Sequence, residues 1–161
     1  VRSRLISEED MVKQASEFAG TVPVRHLLPY WKTSNRYLFS GGSVNMRDAA
    51  VYAKEENWSK AVELWKQTYE TKKGKQKMYA AYNTALGYEM QDSIDTALEW
   101  ALKAQTLARE KSKTDKKETG EIHDGTISYY IFISMYVDEL EKRKEGMARL
   151  NMQMNRFDDD F

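Results

Sequence analysis

Apolar residues recur at helical spacing through the middle of the chain. Ala49, Tyr52 and Ala53 follow one another at positions i, i+3 and i+4, which places them on one face of a helix. A second stripe of this kind comprises Trp58, Ala61, Val62 and Trp65. The polar segment KEEN separates the two stripes. The pattern therefore predicts two short helices joined by a tight turn, with Asn57 as the N-cap of the second helix.

The same pattern returns 36 residues further along the chain, where Ala85 corresponds to Ala49 and Ser93 to Asn57. Other pairs in this register are Tyr52 with Tyr88, Trp58 with Ile94, and Ala61 with Ala97. A hairpin of this size cannot bury its apolar face alone, so neighbouring hairpins must stack. The sequence predicts an all-α fold with hairpins near 44–71 and 77–109, joined by the polar segment KKGKQK.

The order of small and aromatic residues in these hairpins resembles the tetratricopeptide repeat (TPR). The matching residues are Asn83, Ala85, Tyr88, Ala97 and Ala104 in the second unit and Trp58, Ala61 and Trp65 in the first. The sequence departs from the repeat at three points: Asp92 replaces the usual turn glycine, Thr68 replaces the last small residue, and no proline closes either unit. The resemblance implies antiparallel helical hairpins stacked in a right-handed array.

Two more helices are expected after the second hairpin. The segment TISYYIFISMYVDELEKR carries a helical stripe, which predicts a third helix at about 126–145 after a polar loop from about 110 to 125. Asp124 and Thr126 are candidate caps for its start. Beyond Gly146, the segment MARLNMQMNRF predicts a closing helix at about 147–156. We interpret this last helix as the cap that a helical array requires.

The first 43 residues are expected to form a helical segment and an irregular linker, followed by the repeat domain at 44–157. Ser7 and Asp10 have capping-box spacing ahead of an amphipathic stretch. The segment YWKTSNRYLFSGG then lacks helical periodicity and is predicted to be a loop or a short extended stretch. Its aromatic residues are too apolar to remain in solvent. They are expected either to cover the first hairpin or to pack against an N-terminal region outside this chain.

A wider resemblance covers almost the whole chain. The segments HLLPYWKTSNRYLF and LEKRKEGMARLNMQM, together with the paired hairpins, are similar to the C-terminal half of an uncharacterised family of bacterial cell-envelope lipoproteins. In that family, a signal peptide, a lipidated cysteine and a β-containing region precede TPR-like helices. The resemblance implies a location in the cell envelope and no particular reaction.

Composition argues against several classes of function. Lys plus Arg and Asp plus Glu each number 25, and this balance gives no long-range attraction to nucleic acid. The sequence has no apolar run long enough for a transmembrane segment. It has no cysteine, and neither of its two histidines has metal-ligand spacing. We therefore expect no metal, no cofactor and no catalytic residues, and we expect a protein that is not an enzyme.

The expected partner is a protein or peptide that binds the concave face of the first helix of the second hairpin. The candidate binding residues are Tyr79, Tyr82, Asn83, Leu86 and Met90. The alternative for this face is closure, either by the third helix or by the segment PYWKTSNRYLF, with Trp31 and Phe39 in contact with it. A second function remains open, in which exposed aromatic residues such as Trp31 or Trp100 bind a glycan in the envelope.

Overall fold

The structure is a computed structural model that describes residues 7–27, 33–119 and 128–159. Within these ranges the chain forms six α-helices and no strand, which confirms the predicted all-α class. The helices are α1 Glu8–Leu27, α2 Val44–Lys54, α3 Trp58–Thr71, α4 Gly74–Glu89, α5 Ile94–Thr119 and α6 Tyr129–Asp159. Among the described helices, none is long and apolar enough to cross a membrane. The expected caps Asp124 and Thr126 lie outside the described residues.

Tertiary contacts divide the chain into two units, residues 1–35 and 36–161. The first unit contains α1, whose start is capped as predicted. The backbone N–H of Asp10 donates a hydrogen bond of 3.1 Å to the hydroxyl of Ser7. The boundary precedes the expected one at 43/44 because residues 36–43, here called the strap, pack onto the helices of the second unit.

In the second unit, each helix from α2 to α5 packs against the helix that follows it in the sequence. Ala49, Ala61, Ala85 and Ala97 are all fully buried, so the four repeated small positions lie where helices approach closely. One core cluster gathers around Trp65, between α2, α3 and α4. The other joins α4, α5 and α6 and includes Tyr82, Ile133 and Leu140. The core is therefore a continuous stack of neighbouring helices.

The turns within the two hairpins have the same backbone geometry. Glu56 and Asp92, which are 36 residues apart, adopt φ values of 58° and 56°. The N–H of Asn57 donates to the carbonyl of Tyr52 at 2.9 Å, and the N–H of Ser93 donates to the carbonyl of Tyr88 at 3.0 Å. Asn57 also caps α3 through its side chain, as predicted. The sequence repeat therefore corresponds to a structural repeat at these turns.

We expect Glu56→Gly to stabilise the protein by up to about 1 kcal/mol, because a left-handed conformation costs a residue with a Cβ atom about 1–2 kcal/mol. The greater freedom of glycine in the unfolded chain offsets part of this gain. Urea denaturation of the variant measures the change. Glu55→Gly is the matched control. Glu55 has a φ of −85°, so glycine at this position should destabilise the protein. Equal effects at both positions would contradict the assigned turn.

Three helix boundaries differ from the prediction. Helix α4 begins at Gly74, so part of the expected loop KKGKQK forms its first turn. Helix α5 continues to Thr119, because most of the polar residues after 109 are good helix formers and a polar run does not by itself predict a loop. Helix α6 runs through Gly146 without a break. A single glycine costs a helix about 1 kcal/mol, which is too little to end it, so the third and closing helices are one element.

Candidate functional site

The strap lies on the face of α4 that was predicted to bind a partner. The N–H of Phe39 donates to Oδ1 of Asn83 at 3.1 Å, and Nδ2 of Asn83 donates to the carbonyl of Phe39 at 2.7 Å. Asn83 is fully buried, so its amide satisfies both backbone polar groups of one residue in an extended segment. Its hydrogen-bonding groups are used within the chain.

Aromatic rings complete the closure of this face. The ring of Phe39 stacks on Tyr79 with centroids 4.1 Å apart, and its edge meets Tyr82 at 5.2 Å. On α6, Phe132 and Tyr136 pack against Tyr82 at 5.5 and 4.8 Å. The strap and α6 thus share the covering, and the open concave groove is replaced by a closed core. Trp31, the other residue expected here, lies outside the described residues.

The five predicted binding residues consequently have different environments. Tyr82, Asn83 and Leu86 are buried, and a partner cannot reach them while the strap is in place. Tyr79 is half-buried at the edge of the strap. Met90, at the end of α4, keeps 42% of its surface exposed. The five residues therefore do not form one open face in the structure, because the chain supplies its own covering segment.

Trp100, one of the expected glycan-binding residues, already has partners. Its ring meets Tyr69 edge-on at 5.0 Å. The ammonium groups of Lys103 and Lys66 lie 4.2 and 5.8 Å from the Trp100 ring, within the range of cation–π attraction. The half-buried ring is therefore part of a local packing arrangement.

A buried carboxylate, Glu89, anchors the strap at its first residue. Arg36 binds it in a bidentate manner, with Nη2 at 2.8 Å from Oε1 and Nε at 3.0 Å from Oε2. From α6, the hydroxyl of Tyr136 donates at 2.9 Å and Arg143 donates at 3.1 Å. Bidentate arginine–carboxylate pairs are strong and geometrically specific. Glu89 therefore ties the strap and α6 to the end of α4.

The electrostatics of this cluster suit a structural role. Burial alone would raise the pKa of Glu89, but the hydrogen bonds and charges of Arg36, with those of Tyr136 and Arg143, lower it below its usual value. Burial, followed by the nearby Glu89 charge, raises the pKa of Tyr136. Glu89 stays ionised and Tyr136 stays protonated over the physiological range. A carboxylate with a lowered pKa and four donors is a poor general base.

An aromatic cleft opens beside the strap, between the starts of α4 and α6. It has a volume of about 470 Å³, within the usual range for ligand sites. Its lining consists of Tyr37, Phe39, Ser40, Gly41, Gln76, Tyr79, Tyr129 and Phe132. Among these lining residues there is no carboxylate and no imidazole. The cleft is therefore an apolar surface with uncharged hydrogen-bonding groups, and nothing in this lining suits acid–base catalysis.

The rim of the cleft is held by specific contacts. The hydroxyl of Tyr79 donates to that of Tyr129 at 2.7 Å, and burial, with this hydrogen bond, raises the pKa of Tyr79. Gly42 has a φ of 114°, and a Cβ atom on it would lie 2.1 Å from the amide of Gln76. Gln76 accepts a hydrogen bond from the N–H of Ser43 at 3.3 Å. Glycine at position 42 therefore lets the strap approach α4.

A second exposed surface lies on the last part of α6. Lys144 pairs with Asp95, in the first turn of α5, at 2.6 Å. The sixteen residues from there to Asp159 extend about 24 Å. The described side chains between Lys144 and Asn155 are all exposed. Among them, Met147 and Met154 continue the heptad spacing of the buried Ile133 and Leu140, and Leu150, three residues after Met147, lies on the same side of the helix. We call these three residues the distal stripe.

The sequence alone does not assign the strap or Glu89 to a particular site. The segment of Arg36, Tyr37 and Phe39 has no periodicity that would assign it to a face of the core. Glu89 was not singled out, because its partners come from positions 36, 136 and 143 and local spacing does not reveal such contacts. The one available signal was the aromatic density of the strap. It indicated burial and named this face of α4 as one of several surfaces for the strap to cover.

Comparison with protein families gives two matches. Residues 47–142 match a family described as a domain of unknown function, DUF6340, and this match covers more than half of the 161 residues. The chain belongs to the DUF6340 family. Residues 1–39 are similar to a second domain of unknown function, DUF8603. Neither the curated proteins nor the solved structures contain a match to this chain. The DUF6340 region holds Asn83 and Glu89, and it ends at residue 142, before the distal stripe.

Proposed function

We propose that residues 36–161 of this DUF6340 protein are a non-catalytic protein-interaction module, with TPR-like stacking, in a larger bacterial cell-envelope protein. The TPR-like arrangement is supported by the two identical turns at Glu56 and Asp92 and by the packing of each helix on the next. The location in the envelope is supported by the resemblance of HLLPYWKTSNRYLF and LEKRKEGMARLNMQM to envelope lipoproteins.

The distal stripe is the observation that carries the interaction role. In the first half of α6 the same heptad positions, Ile133 and Leu140, are buried against neighbouring helices. In the second half, Met147 and Met154 occupy those positions, Leu150 lies beside them, and all three are exposed. Methionine is common on surfaces that bind protein helices because its flexible, polarisable side chain adapts to the partner. The occupant we propose is an amphipathic helix of a partner protein, laid along the stripe.

The absence of catalysis is supported by the chemistry of the described residues. No group of three or more His, Cys, Asp and Glu side chains in that part of the chain has the arrangement of a metal site. The buried carboxylate of Glu89 accepts hydrogen bonds from four donor groups of arginine and tyrosine side chains. The aromatic cleft carries no acid or imidazole in its lining. These observations on the described residues support a role in recognition.

Site-specific photo-crosslinking in the native host tests this function. A photo-reactive amino acid at Leu150 should give one discrete protein adduct, whereas the same group at the exposed Lys142 should not. The adduct identified by mass spectrometry is then purified and titrated against this protein. Met147→Lys and Met154→Lys together should weaken that binding at least about tenfold, with an unchanged melting temperature.

Three outcomes would contradict the proposal. Adducts of equal yield from Leu150 and Lys142 would mean that the stripe is not selective. No adduct from Leu150 would mean that it is not an interface. A self-adduct of twice the mass of the chain would assign the stripe to a second copy of this protein and not to a different partner.

A further inference from the structure

The aromatic cleft is a second binding surface, separate from the distal stripe. Tyr37 keeps 56% of its surface exposed and Tyr129 keeps 36%. Both meet their aromatic neighbours at steep angles: Tyr37 meets Phe39 at 70°, and Tyr129 meets Tyr79 at 65°. Phe39 and Tyr79, in contrast, cover each other by stacking. Tyr37 and Tyr129 are therefore the rings that retain surface for a ligand.

The polar groups of the cleft have no formal charge. They are the hydroxyls of Tyr37, Ser40, Tyr79 and Tyr129 and the side-chain amide of Gln76. Hydroxyls and amides both donate and accept hydrogen bonds. A matching ligand must therefore combine flat apolar faces with many neutral donors and acceptors. A sugar in pyranose form has this combination, since its C–H faces are apolar and its edge carries hydroxyl groups.

We propose that the aromatic cleft binds a neutral pyranose unit of a glycan. The sugar ring lies against Tyr37 or Tyr129, and its hydroxyls bind Ser40, Gln76 and the tyrosine hydroxyls. This site goes beyond the protein-interaction role, which uses the distal stripe.

Other ligands fit the cleft less well. A purely apolar peptide side chain would remove several hydroxyls and an amide from water without replacing their hydrogen bonds, which is costly. An anionic ligand would find one nearby ammonium group, Lys75, which lies 5.6 Å from the centre of the Tyr129 ring. The same ammonium group disfavours a cationic ligand. The lining is therefore best matched by a neutral ligand with hydroxyl groups.

A titration followed by NMR of 13C-labelled tyrosine tests the site on the full chain. The probes are cellotetraose, maltotetraose and the β-1,4-linked tetramer of N-acetylglucosamine, each raised to about 10 mM to reach weak affinities. At least one probe should shift the ring signals of Tyr37, Tyr79 and Tyr129 together. Tyr52, a half-buried tyrosine of α2 in the other core cluster, should show no shift and is the internal control.

Variants of Tyr37 then test whether its ring contacts the sugar. Tyr37→Ala removes the most exposed ring of the cleft and should weaken binding about tenfold, whereas Tyr37→Phe keeps the ring and should weaken it less. Met135→Ala, at an exposed position of α6, should leave binding unchanged. Melting curves should show that all three variants are folded at the temperature of the titration, so loss of binding cannot be ascribed to unfolding.

Two results would overturn the proposal. One is that no tetramer shifts the three tyrosine signals. The other is that a proline-rich decapeptide shifts them while the sugars do not, which would assign the cleft to a peptide. Neither result alters the cross-linking expected at Leu150, so failure of the glycan site and failure of the protein-interaction role are distinguishable.

Discussion

Replacement of Trp65 by alanine is expected to lower the free energy of unfolding by about 3–5 kcal/mol, among the largest effects of any single core change. Trp65 is fully buried at the centre of the cluster that joins α2, α3 and α4. Its ring also lies against Gly87, where a Cβ atom would be 3.1 Å from Trp65 Cζ3. Removal of the ring therefore leaves a space beside Gly87, which has no side chain to fill it.

Two variants sharpen this prediction. The indole N–H of Trp65 is buried without a hydrogen-bond partner among the described residues, so Trp65→Phe removes an unsatisfied donor and should cost less than about 2 kcal/mol. Trp58→Ala, at a half-buried position, should cost less than Trp65→Ala. Urea denaturation followed by far-UV circular dichroism measures all three. A loss below about 1 kcal/mol for Trp65→Ala would place this residue outside the core.

Replacement of Glu89 by alanine is the second large effect, at about 3–5 kcal/mol. The change leaves the guanidinium groups of Arg36 and Arg143 without their shared carboxylate. It also leaves the buried hydroxyl of Tyr136 without its acceptor. Asp95→Asn, which weakens an exposed ion pair with Lys144, is the control and should have a much smaller effect. Similar losses for both variants would contradict the anchoring role of Glu89.

The stability supplied by Glu89 should also depend on pH. Its pKa in the folded protein lies below the ordinary value of 4.5, so the folded state binds this proton more weakly than the unfolded state. The contribution is therefore fully present above pH 4.5 and is lost as the pH falls through the folded pKa. The difference in stability between the parent chain and Glu89→Gln should be constant from pH 7 to about 5 and shrink below about 4. A constant difference down to pH 3 would contradict the lowered pKa.

The fold of the second unit could be predicted because its determinants are local. The helical stripes of α2 and α3 and the cap at Asn57 depend on residues within a few positions of one another. The internal repeat added the pairing of hairpins without any knowledge of long-range contacts. Two predicted helix ends, near residue 109 and at Gly146, are not helix ends in the structure. Polar residues and a single glycine are both compatible with a continuing helix.

The candidate site could not be predicted in the same way. The apolar stripe of Tyr79, Tyr82 and Leu86 showed that α4 has neighbours on two sides. It did not show whether the second neighbour belongs to the chain. The answer depends on Asn83 pairing with Phe39 and on Glu89 pairing with Arg36, at separations of 44 and 53 residues. Such contacts become visible only when the fold brings the residues together.

The strap closes the predicted groove on α4. Hydrogen exchange of the Phe39 amide, measured residue by residue by NMR, tests it most directly. Because this N–H donates to the buried Oδ1 of Asn83, its exchange should be slowed at least about a hundredfold, as for an amide that exchanges only by local opening. Exchange of the Phe39 amide at the rate of an unprotected extended chain would contradict this closure and mean that the strap does not occupy the groove.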